Sequence, residues 1–364
     1  MQTLWPTDDT RTTVMEIPSP NDIINQIPIS QEITDLVSSS RESVADIIHW
    51  KDPRLLVIAW PCSIHDPIAA MEYARMLVQE RERLNWELEI VMRVYFEKPR
   101  TTIGWKWLIN DPHLDGTNDI VEWLYIARKL LIDIIKLWLP VAVEYLDVIS
   151  PQYLWDLVTW WAIGARTTES QVHRELASWL SSPVGFKNGT DGNIRISIDA
   201  IEAARSPHSF LGTTKAWNVA IVESRWNPDT HIILRGGNDW PNYDSNSVEK
   251  TVQACEQRGI HSGVMVDFSH ANSDKKYKEQ LNVWDDVADQ IWKWNNHIIW
   301  VMIESNLEEG TQRHIPWETD PNELIYGQSI TDWCIWVDDT LKLLALLADA
   351  VKRRNHINGI INPQ

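Results

Sequence analysis

Hydrophobic and polar positions along this chain follow two alternating patterns. Short apolar runs rich in valine and isoleucine have the length and branched side chains of buried strands. Eight such runs lie at residues 55–59, 90–96, 141–146, 162–166, 184–187, 232–235, 264–268 and 298–304. Amphipathic stretches with helical spacing lie at 69–84, 120–137, 171–180, 196–204, 248–258, 283–292 and 341–353. Strands that alternate with helices in this way predict a parallel sheet.

Eight strands that alternate with helices favour an α/β fold of the (β/α)8 or TIM barrel type, with a doubly wound open sheet as the alternative. Residues 1–50 would form an N-terminal extension, and residues 51–364 the barrel domain. A further β-like pair at 210–222 predicts a β-hairpin inserted at about 208–224. We expect the extension and the hairpin to make subunit contacts or to hold a regulatory site.

Composition and charge narrow the classes of partner. The chain has 364 residues, 44% of them hydrophobic, and a formal net charge of −18, which disfavours nucleic acids and anionic membranes. No apolar stretch is long enough to span a bilayer, and the first residues carry no basic-then-apolar signal. Three widely spaced cysteines fit reduced thiols rather than disulfides. These features predict a cytoplasmic protein.

Charged residues follow the predicted strands almost without exception. In a barrel of this type the carboxyl ends of the strands meet at one mouth, where ligands bind. Such a cluster of cations suits phosphorylated ligands, whereas any one of them alone is more often an ordinary surface charge. The third strand holds Glu144, and the cationic set is Arg93, Lys98, Arg100, Arg166, Lys187 and Arg235.

A second set at the strand ends combines a thiol, an imidazole and carboxylates. Cys62, His270 and Glu304 follow the first, seventh and eighth strands, and Asp332 could supply a fourth group. These donors suit a divalent metal ion such as Mn²⁺, Fe²⁺, Co²⁺ or Zn²⁺. They are far apart in sequence, so a small core cysteine and a structural histidine remain alternatives.

Several long motifs give the chain a resemblance to a known family. They include PCSIHDP at 61–67, EIVMRVYFEKPRTT at 89–102, AIGARTTESQVHRELAS at 162–178, PVGFKNGTDG at 183–192, HIILRGG at 231–237, DFSHANS at 267–273 and SITD at 329–332. In these stretches the chain resembles the type I 3-deoxy-D-arabino-heptulosonate-7-phosphate (DAHP) synthases over nearly its whole length. The resemblance implies an enzyme that condenses phosphoenolpyruvate with erythrose 4-phosphate, the first step of aromatic amino acid biosynthesis.

The resemblance also implies roles for individual residues. Metal ligands would be Cys62, His270, Glu304 and Asp332. Phosphoenolpyruvate would bind Arg93, Lys98, Arg166, Lys187 and Arg235, with Glu144 lining the same pocket. Erythrose 4-phosphate would meet Pro99, Arg100 and Thr101. Lys98 and His270 are the candidate catalytic groups for proton transfer, because both are ionisable and lie near the implied reacting centre.

Regulation and assembly are implied more loosely. The resemblance implies feedback inhibition by an aromatic amino acid and a homodimer or homotetramer. Gly212 in FLGTT resembles the tyrosine-sensitive type, but one position leaves the effector open. A non-catalytic barrel that binds an aromatic amino acid and regulates a partner is the alternative function.

The tryptophan content is unusual, with 22 Trp against 14 Gly. Many of these tryptophans stand where the resemblance implies glycine, namely Trp60, Trp107, Trp123, Trp138, Trp161, Trp179, Trp217, Trp226, Trp300 and Trp336. Two hypotheses account for them. Either the barrel has been repacked around real indoles, or a codon that means glycine in the source organism, such as UGA, has been translated as tryptophan.

Overall fold

Eight parallel strands close into a barrel at the centre of the protein. The computed structural model describes residues 13–97, 108–238, 240–293, 295–315 and 318–360. Around the barrel the strand order is β1-β10-β9-β8-β5-β4-β3-β2. The strands are β1 (Leu55–Ala59), β2 (Leu88–Arg93), β3 (Val141–Tyr145), β4 (Trp160–Ile163), β5 (Val184–Lys187), β8 (Thr230–Leu234), β9 (Val264–Asp267) and β10 (Ile298–Ile303). The predicted (β/α)8 barrel is confirmed, and the doubly wound alternative is wrong because β1 pairs with β10.

Helices surround the barrel and precede it. The helices are α1 (Pro20–Gln26), α2 (Gln31–Ile48), α3 (Pro67–Arg83), α4 (Ile120–Ile135), α5 (Pro151–Leu154), α6 (Gln171–Trp179), α7 (Arg195–Ala204), α8 (Ser245–Glu256), α9 (Glu279–Trp292) and α10 (Val337–Ile357). The start of α3 illustrates how the sequence sets such a helix. The Asp66 carboxylate accepts hydrogen bonds from the backbone N–H groups of Ile68 and Ala69, and Pro67 occupies the first helical position. None of the helices in the described ranges is long and apolar enough to cross a bilayer.

Two separate hydrophobic layers hold these elements together. The larger layer fills the space between the strands and the surrounding helices. The smaller one fills the barrel interior, where Trp160, Met265 and Trp300 pack together. Val44 and Ile47 of α2 belong to the interior layer, so α2 packs against it. The proposed domain boundary at residue 50 stays a prediction.

The inserted hairpin is present between α7 and β8, as the sequence predicts. It consists of β6 (His208–Thr213) and β7 (Val219–Ser224), which pair in antiparallel register. Its turn lies against the N-terminal segment, because the Asn21 N–H donates to the Lys215 carbonyl at 2.9 Å. Beside it, the Gln152 side chain of α5 donates to the Thr213 carbonyl at 3.1 Å.

Short paired strands order the long loop between β10 and α10. Strand β11 (Ser305–Asn306) pairs with β14 (Ile335–Trp336), and β12 (Glu308–Thr311) pairs with β13 (Gln328–Ser329). A 3-10 turn at Pro321–Glu323 lies between them. This framework brings residues near 332 back to the end of β10.

Candidate active site

Cys62, Glu304 and Asp332 form a compact group at the mouth of the barrel. One ligand atom of each, the thiol sulfur or a carboxylate oxygen, lies within 4.8 Å of the other two. Cys62 follows β1 and Glu304 follows β10, and these strands are paired neighbours, so the barrel itself brings the two residues together. A buried thiol beside two carboxylates is a donor set that fits a divalent transition metal ion.

The loop that carries Asp332 is fastened to the loop that carries Cys62. The hydroxyl oxygens of Ser63 and Thr331 lie 3.0 Å apart, and the Ser329 hydroxyl oxygen lies 3.2 Å from that of Thr331. The Thr331 backbone N–H also donates to the Ser329 hydroxyl. Hydroxyl contacts within and between the two loops therefore hold Asp332 next to Cys62.

Glu304 is oriented by groups that the sequence did not single out. The Ser269 hydroxyl donates to one carboxylate oxygen of Glu304 at 2.7 Å. The Gln280 side chain of α9 makes two hydrogen bonds to the Glu304 backbone. It donates to the carbonyl and accepts from the N–H, both at 3.0 Å. Such supporting bonds fix the direction of a ligand side chain. Ser269 lies inside the DFSHANS motif, but nothing in the sequence marks Gln280.

Arg93 belongs to the predicted cationic set and contacts two of the three residues in the group formed by Cys62, Glu304 and Asp332. Its guanidinium lies 2.7 Å from a Glu304 carboxylate oxygen and donates to the Cys62 carbonyl at 3.2 Å. It also lies over the Tyr95 ring, 4.0 Å from the centroid. Although burial opposes the charged form, Glu304 raises the pKa of Arg93. Arg93 is therefore a buried, permanently charged group at the edge of the metal-type site.

Lys187 and His270 share the carboxylate of Asp267. One Asp267 oxygen lies 3.2 Å from the Lys187 ammonium and 3.0 Å from His270 Nδ1. Burial alone would raise the pKa of Asp267, but the neighbouring His270 and Lys187 hold it well below its ordinary value. Asp267 is the first residue of the DFSHANS motif, but its role as a shared partner could not be read from spacing.

His270 does not belong to the three-residue group formed by the described side chains. Its backbone has a φ of 60°, and its Nδ1 points to Asp267, which leaves Nε2 as its other ligand atom. Burial lowers the pKa of His270 to about 4, with Lys187 acting in the same direction against Asp267. The ring is therefore neutral near pH 7, which is the form that binds metals.

Arg235 is close enough to Asp267 and Arg166 to feel both charges. Burial is the main cause that lowers the pKa of Arg235, and the nearby Arg166 charge lowers it further while Asp267 raises it. Arg166 is exposed at the mouth, whereas Arg235 is buried. Gly236 lets the adjacent loops meet, because a Cβ there would lie 2.7 Å from the Ala271 carbonyl carbon, at a φ of 76°. The mouth thus holds four of the predicted cations, and two of them pair with the buried carboxylates of Glu304 and Asp267.

Glu144 and Glu97 complete the described part of the mouth. Glu144 lies in β3, one residue before its end, and a Cβ on Gly164 would lie only 2.4 Å from its carboxylate, so glycine makes room for it. Glu97 accepts hydrogen bonds from the Ser150 hydroxyl and the Asp147 N–H, and burial raises its pKa to about 8. The remaining predicted residues Lys98, Pro99, Arg100 and Thr101 lie outside the described residues.

Comparison with known proteins gives a consistent result. Residues 26–345 match the DAHP synthetase I family. The chain is 54% identical over 341 residues to the Phe-sensitive phospho-2-dehydro-3-deoxyheptonate aldolase of Escherichia coli strain K12, covering 94% of this chain and 96% of that protein. It is 50% identical over 326 residues to the Tyr-sensitive enzyme of the same strain, covering 90% of each.

A solved structure agrees with these sequence relatives. The phospho-2-dehydro-3-deoxyheptonate aldolase from Francisella tularensis SCHU S4 superposes with a TM-score of 0.90 at 46% identity, covering 94% of this chain and 98% of that one. With this fold and a family match over most of its length, the chain belongs to the DAHP synthetase I family.

Proposed function

We propose that this protein condenses phosphoenolpyruvate with D-erythrose 4-phosphate to give 3-deoxy-D-arabino-heptulosonate 7-phosphate and inorganic phosphate. This is the first step of the shikimate pathway, which leads to the aromatic amino acids. Support comes from the family, from relatives named phospho-2-dehydro-3-deoxyheptonate aldolase, and above all from the mouth of the barrel. There a thiol and two carboxylates adjoin a buried arginine.

The metal site comprises Cys62, Glu304 and Asp332, with His270 as the fourth ligand through Nε2. The second ring nitrogen of a metal-binding histidine usually faces a carboxylate, and His270 Nδ1 lies 3.0 Å from an Asp267 oxygen. Three anionic donors exceed the charge of a divalent ion by one, and the ion pair of Arg93 with Glu304 supplies the balancing positive charge. Mn²⁺, Fe²⁺, Co²⁺ and Zn²⁺ all suit this set. When bound, the ion supplies Lewis-acid polarisation of the aldehyde oxygen.

Phosphoenolpyruvate is held by Arg93, Lys98, Arg166, Lys187 and Arg235, and Glu144 lines its pocket. Because Arg93 contacts both Glu304 and the Cys62 backbone, an anion on its guanidinium lies next to the metal ligands. Asp267 anchors the Lys187 ammonium, so this cation has a fixed position before substrate arrives. Fixed donors of this kind lower the barrier by positioning and by electrostatics.

The second substrate is held by Pro99, Arg100 and Thr101. Carbon C3 of phosphoenolpyruvate forms a bond to the aldehyde carbon, and water adds at C2. The C2–O bond to phosphate then breaks, which leaves a ketone at C2 and releases phosphate. Of the two protons of the water, one ends on the released phosphate and the other on the new alkoxide. Lys98 and His270 are the candidate proton carriers, and the neutral His270 ring bound to Asp267 suits the ligand role better, which leaves Lys98 as the preferred donor.

An aromatic amino acid inhibits the enzyme, and its site involves the N-terminal segment, the hairpin and the subunit contacts of a homodimer or homotetramer. Support comes from relatives named for their sensitivity and from the contacts of Asn21 and Gln152 with the hairpin turn. Identities of 54% to a Phe-sensitive and 50% to a Tyr-sensitive relative leave the effector undecided. The cytoplasmic location also stays a prediction from the sequence.

Release of inorganic phosphate tests the proposed reaction. We expect phosphate to appear only when both substrates are present, to stop when a chelator removes the metal, and to return on addition of Mn²⁺. Titration with phenylalanine, tyrosine and tryptophan then identifies the effector. A chain that binds one of these amino acids but releases no phosphate with any of the four metals would instead be the non-catalytic barrel.

A further inference from the structure

Tryptophan occupies backbone positions that side chains rarely tolerate. Nine residues other than glycine have a positive φ in the described part of the chain, and four of them are Trp50, Trp60, Trp138 and Trp217. Their φ angles are 54°, 155°, 63° and 60°. Asparagine and aspartate are the usual exceptions there, and a bulky aromatic residue is an outlier.

Two of these positions are turns that normally require glycine. Trp50 follows α2, where the Lys51 N–H donates to the Asp46 carbonyl and the Trp50 N–H donates to the Ile47 carbonyl. These two bonds define a helix-ending Schellman motif, and its left-handed position is usually glycine. Trp217 closes the hairpin turn, with its N–H on the Thr214 carbonyl at 2.9 Å, in the left-handed position where three-residue hairpin loops place glycine.

A second and independent observation concerns buried indoles. A buried tryptophan N–H usually finds an acceptor. Among the described residues, five tryptophans have a buried N–H without an acceptor, namely Trp60, Trp123, Trp161, Trp284 and Trp300. All of them except Trp284 stand where the resemblance implies glycine. The centroid of the Trp300 ring lies 3.5 Å from that of His231, closer than the 4.5–7 Å of ordinary aromatic pairs. These indoles are therefore buried without a hydrogen-bond partner, and one of them is packed too closely against a neighbouring ring.

Trp160 provides the contrast within the same barrel. Its indole N–H donates to His231 Nε2 at 3.0 Å. Gly185 gives the ring its space, because a Cβ there would lie 2.5 Å from the indole. Trp160 therefore has both a polar partner and a cavity shaped for it, whereas the adjacent Trp161 has no acceptor for its N–H among the described groups.

We propose that the protein made in its source organism carries glycine at positions 50, 60, 138, 161, 217 and 300, and tryptophan at 160. A single codon, read as glycine in that organism and as tryptophan in the written sequence, accounts for all six positions. Glycine removes the strain at the four positive φ angles and the orphaned N–H groups in the core. The inference does not rest on the proposed activity, because neither test below measures catalysis.

Peptide mass mapping of the protein purified from its source organism tests the proposal directly. We expect each peptide that spans one of the six positions to be lighter by one tryptophan-to-glycine difference, and the residue at 160 to be tryptophan. Tryptophan at any of the six positions would overturn the common-codon assignment.

A comparison of two recombinant proteins gives a second readout. One has the written sequence, and the other carries Trp50→Gly, Trp60→Gly, Trp138→Gly, Trp161→Gly, Trp217→Gly and Trp300→Gly together. We expect the six-glycine variant to melt higher by roughly 10 °C and to express in soluble form at a higher yield. An equal or lower Tm for the variant would overturn the proposal.

Discussion

The mouth of the barrel and its interior differ in how buried polar groups are matched. At the mouth, Arg93 pairs with Glu304 and Lys187 pairs with Asp267, so buried charges have opposite charges within 3.2 Å. In the interior and the outer layer, Trp300 and Trp161 bury an N–H that has no acceptor among the described residues. Ion pairing offsets the cost of burying charges at the mouth, whereas no pairing offsets the cost of burying these two indole N–H groups.

The largest effect that tests the mouth is expected from its sulfur ligand. Cys62→Ser replaces a soft thiolate by a hydroxyl, and we expect loss of bound metal and a fall in kcat of about 10³-fold. Metal content and phosphate release measure the two effects. Cys255→Ser is the matched control, because Cys255 is also a buried free thiol but packs in the layer of helices. Equal metal content in both variants would show that Cys62 is only a core residue.

A smaller loss is expected when the shared carboxylate at the mouth is neutralised. Asp267→Asn keeps the shape but leaves Lys187 and His270 without their anion, so we expect the KM for phosphoenolpyruvate to rise and kcat/KM to fall roughly 10²-fold. Breaking this buried pair should also lower the free energy of unfolding by about 3 kcal/mol.

The control for this prediction is an exposed ion pair. Asp289 lies 2.6 Å from Lys293 on the surface of α9, and Asp289→Asn should change the unfolding free energy by less than about 0.5 kcal/mol. Substrate kinetics and urea unfolding measure both variants. If Asp267→Asn lowered the free energy of unfolding as little as Asp289→Asn does, the buried ion pair between Asp267 and Lys187 would not contribute to stability.

Two neighbouring tryptophans sharpen the comparison for the interior. Trp160→Gly removes a hydrogen-bonded indole from its cavity, and we expect the free energy of unfolding to fall by roughly 3–5 kcal/mol. Trp161→Gly removes an indole without an acceptor, and we expect Tm to rise. Thermal and urea unfolding of the two single variants provide the measurement. Equal losses would contradict the distinction between fitted and unfitted indoles.

The smallest effect concerns a carboxyl at the mouth that has no cationic partner in the described ranges. Burial raises the pKa of Glu97 to about 8 from its ordinary value of 4.5, so the folded state binds more protons than the unfolded state between these values. Stability therefore falls as pH rises through this window, by at most about 1.4 kcal/mol per pH unit. Glu97→Gln should remove this slope, whereas the exposed Glu249→Gln should keep it. Urea unfolding at pH 5, 6, 7 and 8 checks the difference.

The sequence predicted the barrel well because its strands are continuous apolar runs. The predicted bounds of β1 and β5 agree with the structure at both ends. Strand β2 was predicted to reach residue 96 but ends at Arg93, because its ladder with β3 stops there while the apolar run continues. Strand β4 runs from Trp160 to Ile163 rather than from 162 to 166, because Trp160 and Trp161 already pair with Ala142 and Val143 of β3.

Other features depend on contacts that a one-dimensional pattern does not contain. The pairs β11–β14 and β12–β13 join residues far apart in sequence, and the strands are two to four residues long. The approach of Asp332 to Cys62 depends on those pairs. The sequence identified which polar residues end the strands, but not that Asp267 would be shared by Lys187 and His270.

The proposed metal ligands lie near the first and the last strand of the barrel, which are far apart in the sequence. Cys62 follows the first barrel strand, whereas Glu304 and Asp332 come from and beyond the last one. During synthesis on a ribosome, more than two hundred residues are added after Cys62 before Glu304 and Asp332 emerge. A metal ion bound at this site would stabilise only the closed barrel, because the three donors come together only when β1 pairs with β10. Metal supply in the cell should therefore govern how much newly made protein escapes proteolysis.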